Sequence, residues 1–182
     1  MSFAIFYGIL GKALILGACA MGGKVLADEF KHRRDNLRDF KSVITDMKNE
    51  ISYRSSTVEE IVEKIGDEAG NGIQQIFYSL ALRRKERKCR LDSSVGFGDD
   101  MYELFDDSRQ SICFKENDML IVRDFADGIG TTNSDGQEQL LDGVLSSIDV
   151  NLESAADDAD RKGKMYMTLG ISLGILIVIM VV

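Results

Sequence analysis

The chain has 182 residues, a formal net charge of −8 and no proline. This negative charge argues against nucleic acid as the main partner, because binding to phosphates needs a net basic surface that releases counterions. The three cysteines are too widely spaced for a zinc motif, and the single histidine supplies too little for a metal centre or a catalytic triad. Composition therefore predicts no metal, no cofactor and no histidine-based active site.

The first apolar stretch, FAIFYGILGKALILGACAMGGKVLA, carries Lys12 in its middle. A lysine at the centre of a bilayer costs about 3 kcal/mol on insertion scales. The sequence therefore predicts an N-terminal transmembrane region of residues 1–30, with the span itself running from about 13 to 30. Lys12 would then extend to the outer interface.

An alternative for the same stretch is a lipoprotein processing site at Leu16-Gly17-Ala18-Cys19, which would lipidate Cys19 and place the rest of the chain outside. Only four apolar residues lie between Lys12 and Gly17, fewer than the apolar region of a signal peptide needs. The basic residues that follow also resist export. We therefore favour a membrane span, with a surface lipoprotein as the alternative.

Residues 31–164 are predicted to form a cytoplasmic helical-bundle domain. Its first helix continues from the membrane span and carries apolar residues spaced three or four apart, Leu37, Phe40, Ile44, Met47 and Ile51. Ser56 and Glu59 predict a capping box for a second helix from about Thr57 to Gly66. Two later helices are predicted from apolar residues at Met101, Leu104 and Phe105 and at Met119, Leu120, Val122 and Phe125.

A third helix, predicted to begin near Gly72, ends in a cluster of cationic residues, Arg83, Arg84, Lys85, Arg87 and Lys88. Basic charge is favourable at a helix C-terminus, so a solvated helix end is the interpretation we favour. The alternative is a patch that faces anionic lipid or an acidic partner. No aromatic residue is interleaved with these charges, which weakens the case for nucleic acid further.

The last helix is predicted to start near Ser134 and to continue into the apolar run of residues 165–182. A heptad-like series precedes that run, Leu141, Leu145, Ile148, Leu152, Ala155 and Ala159. The opposite face carries carboxylates that we expect to be solvated, Asp149, Glu153, Asp157, Asp158 and Asp160. The uncharged run spans about 27 Å, close to the thickness of a bilayer's hydrocarbon core, so it is predicted to be a C-terminal transmembrane helix.

Small residues predict how the membrane helices pack. Gly170 and Gly174 form a G-x-x-x-G pair, and the first span offers Gly17 and Gly22 among its small residues. Such residues allow two helices to approach closely. The pattern leaves two partners open, namely the other span of the same chain and a helix of another subunit.

Basic residues predict the orientation. They gather where each apolar end meets the central segment, at Lys24, Lys31, His32, Arg33, Arg34, Arg38 and Lys41, and at Arg161, Lys162 and Lys164. Positive charge close to a membrane helix is retained in the cytoplasm. The sequence therefore predicts two spans, a cytoplasmic central domain and both termini on the far side of the membrane.

Four segments, in this order, carry a resemblance to a known family: EFKHRRDNLRDFK, EISYRSSTVEEIVEKI, IGTTNSDGQEQL and RKGKMYMTLGISLGILIVIMVV. They are similar to stage III sporulation protein AB of endospore-forming bacteria. The motif residues we single out are Tyr53, Gly130, Gln137 and Tyr166. The resemblance starts at about Ala13, so residues 1–12 look like an extension.

The resemblance implies an all-α fold, a small helical bundle like the cytoplasmic domain of type II secretion system protein F, flanked by N- and C-terminal transmembrane helices. It implies a non-enzymatic scaffold in the inner membrane of the mother cell, facing the forespore. The implied partners are the membrane, a cytoplasmic secretion-type ATPase and other membrane subunits of the sporulation channel, with a second copy of the chain as a further candidate.

Two other functions stay open from the sequence. One is an F-type platform protein of another secretion or pilus system. The other is a membrane-tethered enzyme with Cys89 or Cys113 as its nucleophile. We disfavour the enzyme because a reactive thiol needs a nearby base or a helix N-terminus, and no partner histidine is available to either cysteine.

Overall fold

The computed structural model describes residues 2–54, 57–67, 70, 72–90, 95–129 and 134–180. In those ranges the chain forms six α-helices and no strand: α1 (Ser2–Arg54), α2 (Val58–Asp67), α3 (Ile73–Arg90), α4 (Phe97–Ile112), α5 (Glu116–Gly128) and α6 (Ser134–Met180). The predicted all-α fold is confirmed.

The helices divide into two compact units. The terminal unit comprises Met1–Arg34 and Ser154–Val182, and the central unit comprises Asp35–Glu153. Both long helices, α1 and α6, contribute residues to each unit. The predicted domain boundaries at residues 31 and 164 stay a prediction.

The core of the central unit is built around four phenylalanines. The ring centroid of Phe105 in α4 lies 5.4 Å from that of Phe40 in α1 and 6.0 Å from that of Phe77 in α3. The ring of Phe125 in α5 lies 6.2 Å from that of Phe40. All four side chains are fully buried. Aromatic pairs at these separations add about 0.5–1.5 kcal/mol to the effect of burial, so this cluster holds α1, α3, α4 and α5 together.

Helical periodicity predicts most of the buried residues. The apolar series on α1 from Leu37 to Ile51 is buried throughout. The helix predicted from Met119, Leu120, Val122 and Phe125 is present as α5, and Leu120 is the member of this set that is exposed, at 53%. The interior positions of α5 follow spacings of three and four that omit residue 120: Asp118, Met119, Ile121, Val122, Phe125 and Ala126.

The capping box of α2 lies one residue beyond the predicted one. The side-chain oxygen of Thr57 accepts a hydrogen bond from the backbone N–H of Glu60 at 3.4 Å, and the Glu60 carboxylate accepts one from the backbone N–H of Thr57 at 3.0 Å. The hydrogen bond from the Thr57 backbone lowers the pKa of Glu60. The prediction of a Ser56–Glu59 box is therefore corrected; Ser56 itself lies outside the described residues.

Ion pairs join α1 to α6 within the central unit. The Nζ atom of Lys48 donates a hydrogen bond to Asp142 at 2.6 Å, and Lys41 lies 2.6 Å from Asp149. The hydrogen bond to Asp142 raises the pKa of Lys48. Exposed ion pairs of this kind contribute only about 0–1 kcal/mol each, so they supplement the apolar core. Asp149, on the face predicted to be solvated, is 52% exposed and also forms this ion pair.

Candidate functional site

The basic segment of α3 surrounds a single buried carboxylate. Asp100, in the first turn of α4, is 0% exposed. Its Oδ2 atom lies 3.2 Å from the guanidinium of Arg84, and its Oδ1 atom lies 3.0 Å from that of Arg87 and 3.8 Å from that of Arg83. A buried carboxylate is unfavourable unless opposite charges replace its lost hydration. The three arginines supply that charge and thereby tie α3 to α4.

Helix geometry explains why these residues meet. Arg83 and Arg87 are four residues apart, so they lie on the same face of α3. Asp100 lies near the N-terminus of α4, where the helix dipole favours negative charge. The preceding Asp99 accepts a hydrogen bond from the backbone N–H of Gly96 at 3.2 Å, which fixes the start of the helix. Sequence spacing within α4 gave no sign that Asp100 would be the buried member of this acidic pair.

Arginine suits this position better than lysine. Its planar guanidinium is weakly hydrated and can meet a carboxylate and an aromatic face together. The guanidinium of Arg84 lies 5.8 Å from the ring centroid of Phe97 and also faces Glu59 at 3.5 Å. Arg83 makes a further ion pair with Glu103 at 2.9 Å. These arginines are therefore occupied within the chain.

The two lysines of the same segment are placed differently. Lys85 and Lys88 are both exposed. Lys88 lies 3.9 Å from Glu59, and Lys85 forms no ion pair with any residue that the structure describes. The five predicted cationic residues thus divide into three arginines that hold a buried carboxylate and two lysines that face solvent. Partner binding by this segment stays a prediction, and the lysines are the residues available for it.

A cleft of about 230 Å³ lies beside the cluster. Glu59 and Glu63 of α2 form one wall, and Lys85 and Lys88 of α3 form another. The remaining lining residues are Val62, Ala81, Arg84 and Phe97. Across the described ranges, no three His, Cys, Asp or Glu side chains lie close enough to hold a metal ion. The cleft therefore presents a mixed-charge surface with an apolar floor.

A second buried carboxylate ties α5 to α6. Asp118 is 1% exposed, and its two oxygens accept hydrogen bonds from the backbone N–H of Lys115 and from the side-chain amide of Asn151, each at 2.8 Å. Asp118 thus caps the start of α5 while it holds α6. The sequence pattern carries no sign of this burial, because an acidic residue in the first turn of a helix is ordinarily exposed.

In the terminal unit, α1 and α6 approach each other through glycines. A Cβ atom at Gly170 would lie 2.7 Å from the carbonyl oxygen of Cys19 and 3.0 Å from the Cα of Gly23. A Cβ atom at Gly174 would lie 3.1 Å from the Cβ of Cys19. On α1, a Cβ atom at Gly23 would lie 2.8 Å from the carbonyl oxygen of Tyr166. Distances this short leave room only for glycine at residues 170 and 23.

The structure thus places Gly170 and Gly174 against the first helix of the same chain. The two glycines proposed on that helix do not take part: no described atom lies within 4 Å of a Cβ at Gly17 or Gly22. Gly23, the neighbour of Gly22 in the sequence, makes the close contact instead. A packing role for Gly17 and Gly22 stays a prediction, and it would require another subunit.

Replacing Gly170 with leucine should destabilise the pair of helices by about 1–3 kcal/mol, because the side chain must displace the backbone of α1. Thermal unfolding of the full chain in detergent measures the effect. Gly17→Leu is the matched control, since a Cβ there meets no described atom. Equal melting temperatures for the two variants would contradict the packing described here.

The other motif residues are dispersed. Tyr166 stacks on Phe30, with ring centroids 5.8 Å apart and planes inclined by 17°. Tyr53, near the end of α1, is 86% exposed, and Gln137, in the first turns of α6, is half-buried. Gly130 lies outside the described residues. The structure therefore places Tyr166 in the contact between α1 and α6 of the terminal unit.

Each long helix contains a stretch that is long and apolar enough to cross a membrane. Only 11% of each stretch is buried within the structure, whereas the core helix of a soluble protein is mostly buried. Large apolar side chains are exposed along α6, including Leu169, Leu173, Leu176 and Ile179. These features define an all-α membrane protein with a helical unit between two candidate spans.

The sequence matches the family described as Stage III sporulation protein AB over residues 8–182, and the chain belongs to that family. It is therefore a membrane protein of sporulation. The match begins before Ala13, so residues 8–12 are not part of an extension as predicted. The family model aligns them with the rest of the apolar stretch.

A solved structure described as Stage III sporulation protein AB (SpoIIIAB) resembles this chain with a TM-score of 0.60. The two sequences are 11% identical, and the alignment covers 70% of this chain and 96% of the other. At that identity the likeness concerns the fold alone. The search of curated proteins gave no match.

Proposed function

We propose that this protein is a non-enzymatic membrane scaffold of a sporulation-specific, secretion-like channel between mother cell and forespore. In this proposal, the central unit docks a cytoplasmic secretion-type ATPase. The observation that carries the proposal is the all-α unit Asp35–Glu153, which lies in the sequence between two candidate membrane spans. The chain also belongs to a sporulation family. Such a chain can present a helical surface to a soluble partner while its two ends hold it in the membrane.

The proposed orientation places the central unit in the cytoplasm of the mother cell and both termini across its inner membrane. Positive residues flank the central side of both apolar helices, as cytoplasmic segments require. Cys89 is exposed in the central unit and provides a reporter. A membrane-impermeant maleimide should leave Cys89 unlabelled in intact cells and label it after lysis. Labelling in intact cells would place the central unit outside and would overturn the proposed docking.

The proposed docking surface is the exposed lysine pair at the end of α3. Lys85 makes no ion pair with described residues and Lys88 only a long one, so neither is committed to the fold. Exposed charges at the rim of an interface accelerate association with a partner of opposite charge and confer salt dependence. An acidic surface on the ATPase would therefore be recognised here.

Lys85→Glu should weaken capture of the ATPase by the full-length protein about tenfold, because one attractive charge becomes repulsive. Arg38→Glu is the matched control, since Arg38 is an exposed cation on α1 with only a long contact to Asp35 at 3.9 Å. Circular dichroism of both variants verifies the fold. Undiminished capture by Lys85→Glu, or an equal loss in both variants, would exclude this surface as the docking site.

A further inference from the structure

The terminal unit contains two exposed lysines that lie outside the ion pairs formed among the described residues. Lys24 on α1 and Lys164 on α6 are both exposed, and neither forms an ion pair within the part of the chain that the structure describes. Neighbouring cations are paired: Lys31 lies 3.1 Å from Asp28, and Lys162 lies 2.7 Å from Asp158. Lys24 acts electrostatically on Asp28, but that carboxylate forms its ion pair with Lys31, so neither Lys24 nor Lys164 is held in an ion pair of its own.

The packing of α1 against α6 determines where these two lysines lie along the helix axes. A Cβ at Gly23 would meet the backbone of Tyr166 and Gly170, and one at Gly163 would lie 3.8 Å from the carbonyl oxygen of Ala27. The start of the uncharged run of α6, at Met165, is therefore level with residues 23–27 of α1. Lys24 and Lys164 both lie close to this level along the helix axes.

This register also identifies the inner boundary of the apolar region. Tyr166 stacks on Phe30, and the ammonium of Lys162 lies 5.8 Å from the centroid of the Phe30 ring. Aromatic rings and long cationic side chains are favoured where hydrocarbon meets headgroups. The first span should therefore end near residue 27, and Phe30 should lie in the interface rather than in the hydrocarbon.

Local charge has the opposite sign to that of the whole protein. Residues 24–34 and 154–164 together carry seven lysines and arginines against five carboxylates, although the full chain has a net charge of −8. These two segments therefore carry a net charge of +2. Phosphate groups of anionic lipids lie at this depth of a bilayer and would supply the missing negative charge.

From these observations we infer that Lys24 and Lys164 form a binding surface for anionic phospholipid headgroups at the inner end of the two helices. The inference rests on the two-span arrangement of the proposed function. It does not require the ATPase. The side chains would extend along the apolar surface and place their ammonium groups among the lipid phosphates.

The test uses the full-length protein in neutral detergent with added phosphatidylglycerol or phosphatidylcholine, and native mass spectrometry measures lipid binding. Phosphatidylglycerol should bind preferentially, and Lys24→Gln/Lys164→Gln should weaken its binding about 30-fold. Arg90→Gln/Arg123→Gln removes two exposed positive charges from the central unit, outside the proposed docking pair, and should leave lipid binding unchanged. Equal binding of the two lipids, or undiminished binding by Lys24→Gln/Lys164→Gln, would overturn the inference.

Carbonate extraction of membranes separates failure of this inference from failure of the proposed function. If the wild-type chain resists extraction but shows no preference for phosphatidylglycerol, the two spans are supported and the lipid-binding surface is refuted. A chain that carbonate releases would refute the spans themselves, and with them both proposals. Loss of ATPase capture by Lys85→Glu, measured separately, does not bear on lipid binding.

Discussion

Replacing Asp100 with alanine should lower the free energy of unfolding of the full-length protein by about 3 kcal/mol. The carboxylate is fully buried, and its removal leaves the guanidinium groups of Arg83, Arg84 and Arg87 close together without their shared counter-ion. Removing one partner of a buried ion pair costs more than the pair contributes, because the remaining charge stays desolvated. Denaturant unfolding in detergent, followed by circular dichroism, measures the change.

Asp107→Ala is the matched control for this substitution. Asp107 lies on the same helix, is exposed and forms no ion pair among the described residues. Its replacement should change the free energy of unfolding by less than about 0.5 kcal/mol. If the two variants unfold at the same denaturant concentration, the arginine cluster does not hold α3 against α4.

Replacing Phe105 with alanine should lower the free energy of unfolding by about 4 kcal/mol. The ring is fully buried and lies within 6.4 Å, centroid to centroid, of Phe40, Phe77 and Phe114. Its loss removes apolar burial and leaves a cavity where α1, α3 and α4 meet, and surrounding side chains close such a cavity only in part. Denaturant unfolding of the full chain in detergent is again the measurement.

Two further variants make the test of Phe105 specific. Leu120→Ala deletes an apolar side chain that is 53% exposed, and it should cost less than about 0.5 kcal/mol. Phe105→Leu retains most of the buried volume and should recover a large part of the loss. A cost for Phe105→Ala no greater than that for Leu120→Ala would show that the phenylalanine cluster is not the core.

The basic segment of α3 shows why the location of a partner surface could not be predicted from the sequence. Arg83 and Lys85 are equivalent in a count of charges, yet one contacts a buried carboxylate and the other faces solvent. The difference depends on which face of α3 meets α4, and that is set by packing between segments distant in sequence. A prediction of the partner surface from charge alone therefore included three arginines that instead stabilise the fold.

The same limit applies to the helices of the terminal unit. The spacing of Gly170 and Gly174 predicted a close helix contact, but it did not identify the partner helix. The structure pairs them with Cys19 and Gly23 of the same chain, whereas a Cβ at Gly17 or Gly22 would meet no atom of the described residues within 4 Å. Many glycines in an apolar helix satisfy a small-residue pattern, and the rotation of one helix against the other decides which of them are used.

The sequence by itself determined the helices, the two apolar ends and the family, because helical periodicity, uncharged length and motif order are local properties of the chain. Only the tertiary structure decided that Asp100 and Asp118 are buried and that Gly23 replaces Gly22 in the helix contact. These outcomes depend on which residues from distant segments meet. Packing at that point determines whether a charge can be buried and whether a side chain fits.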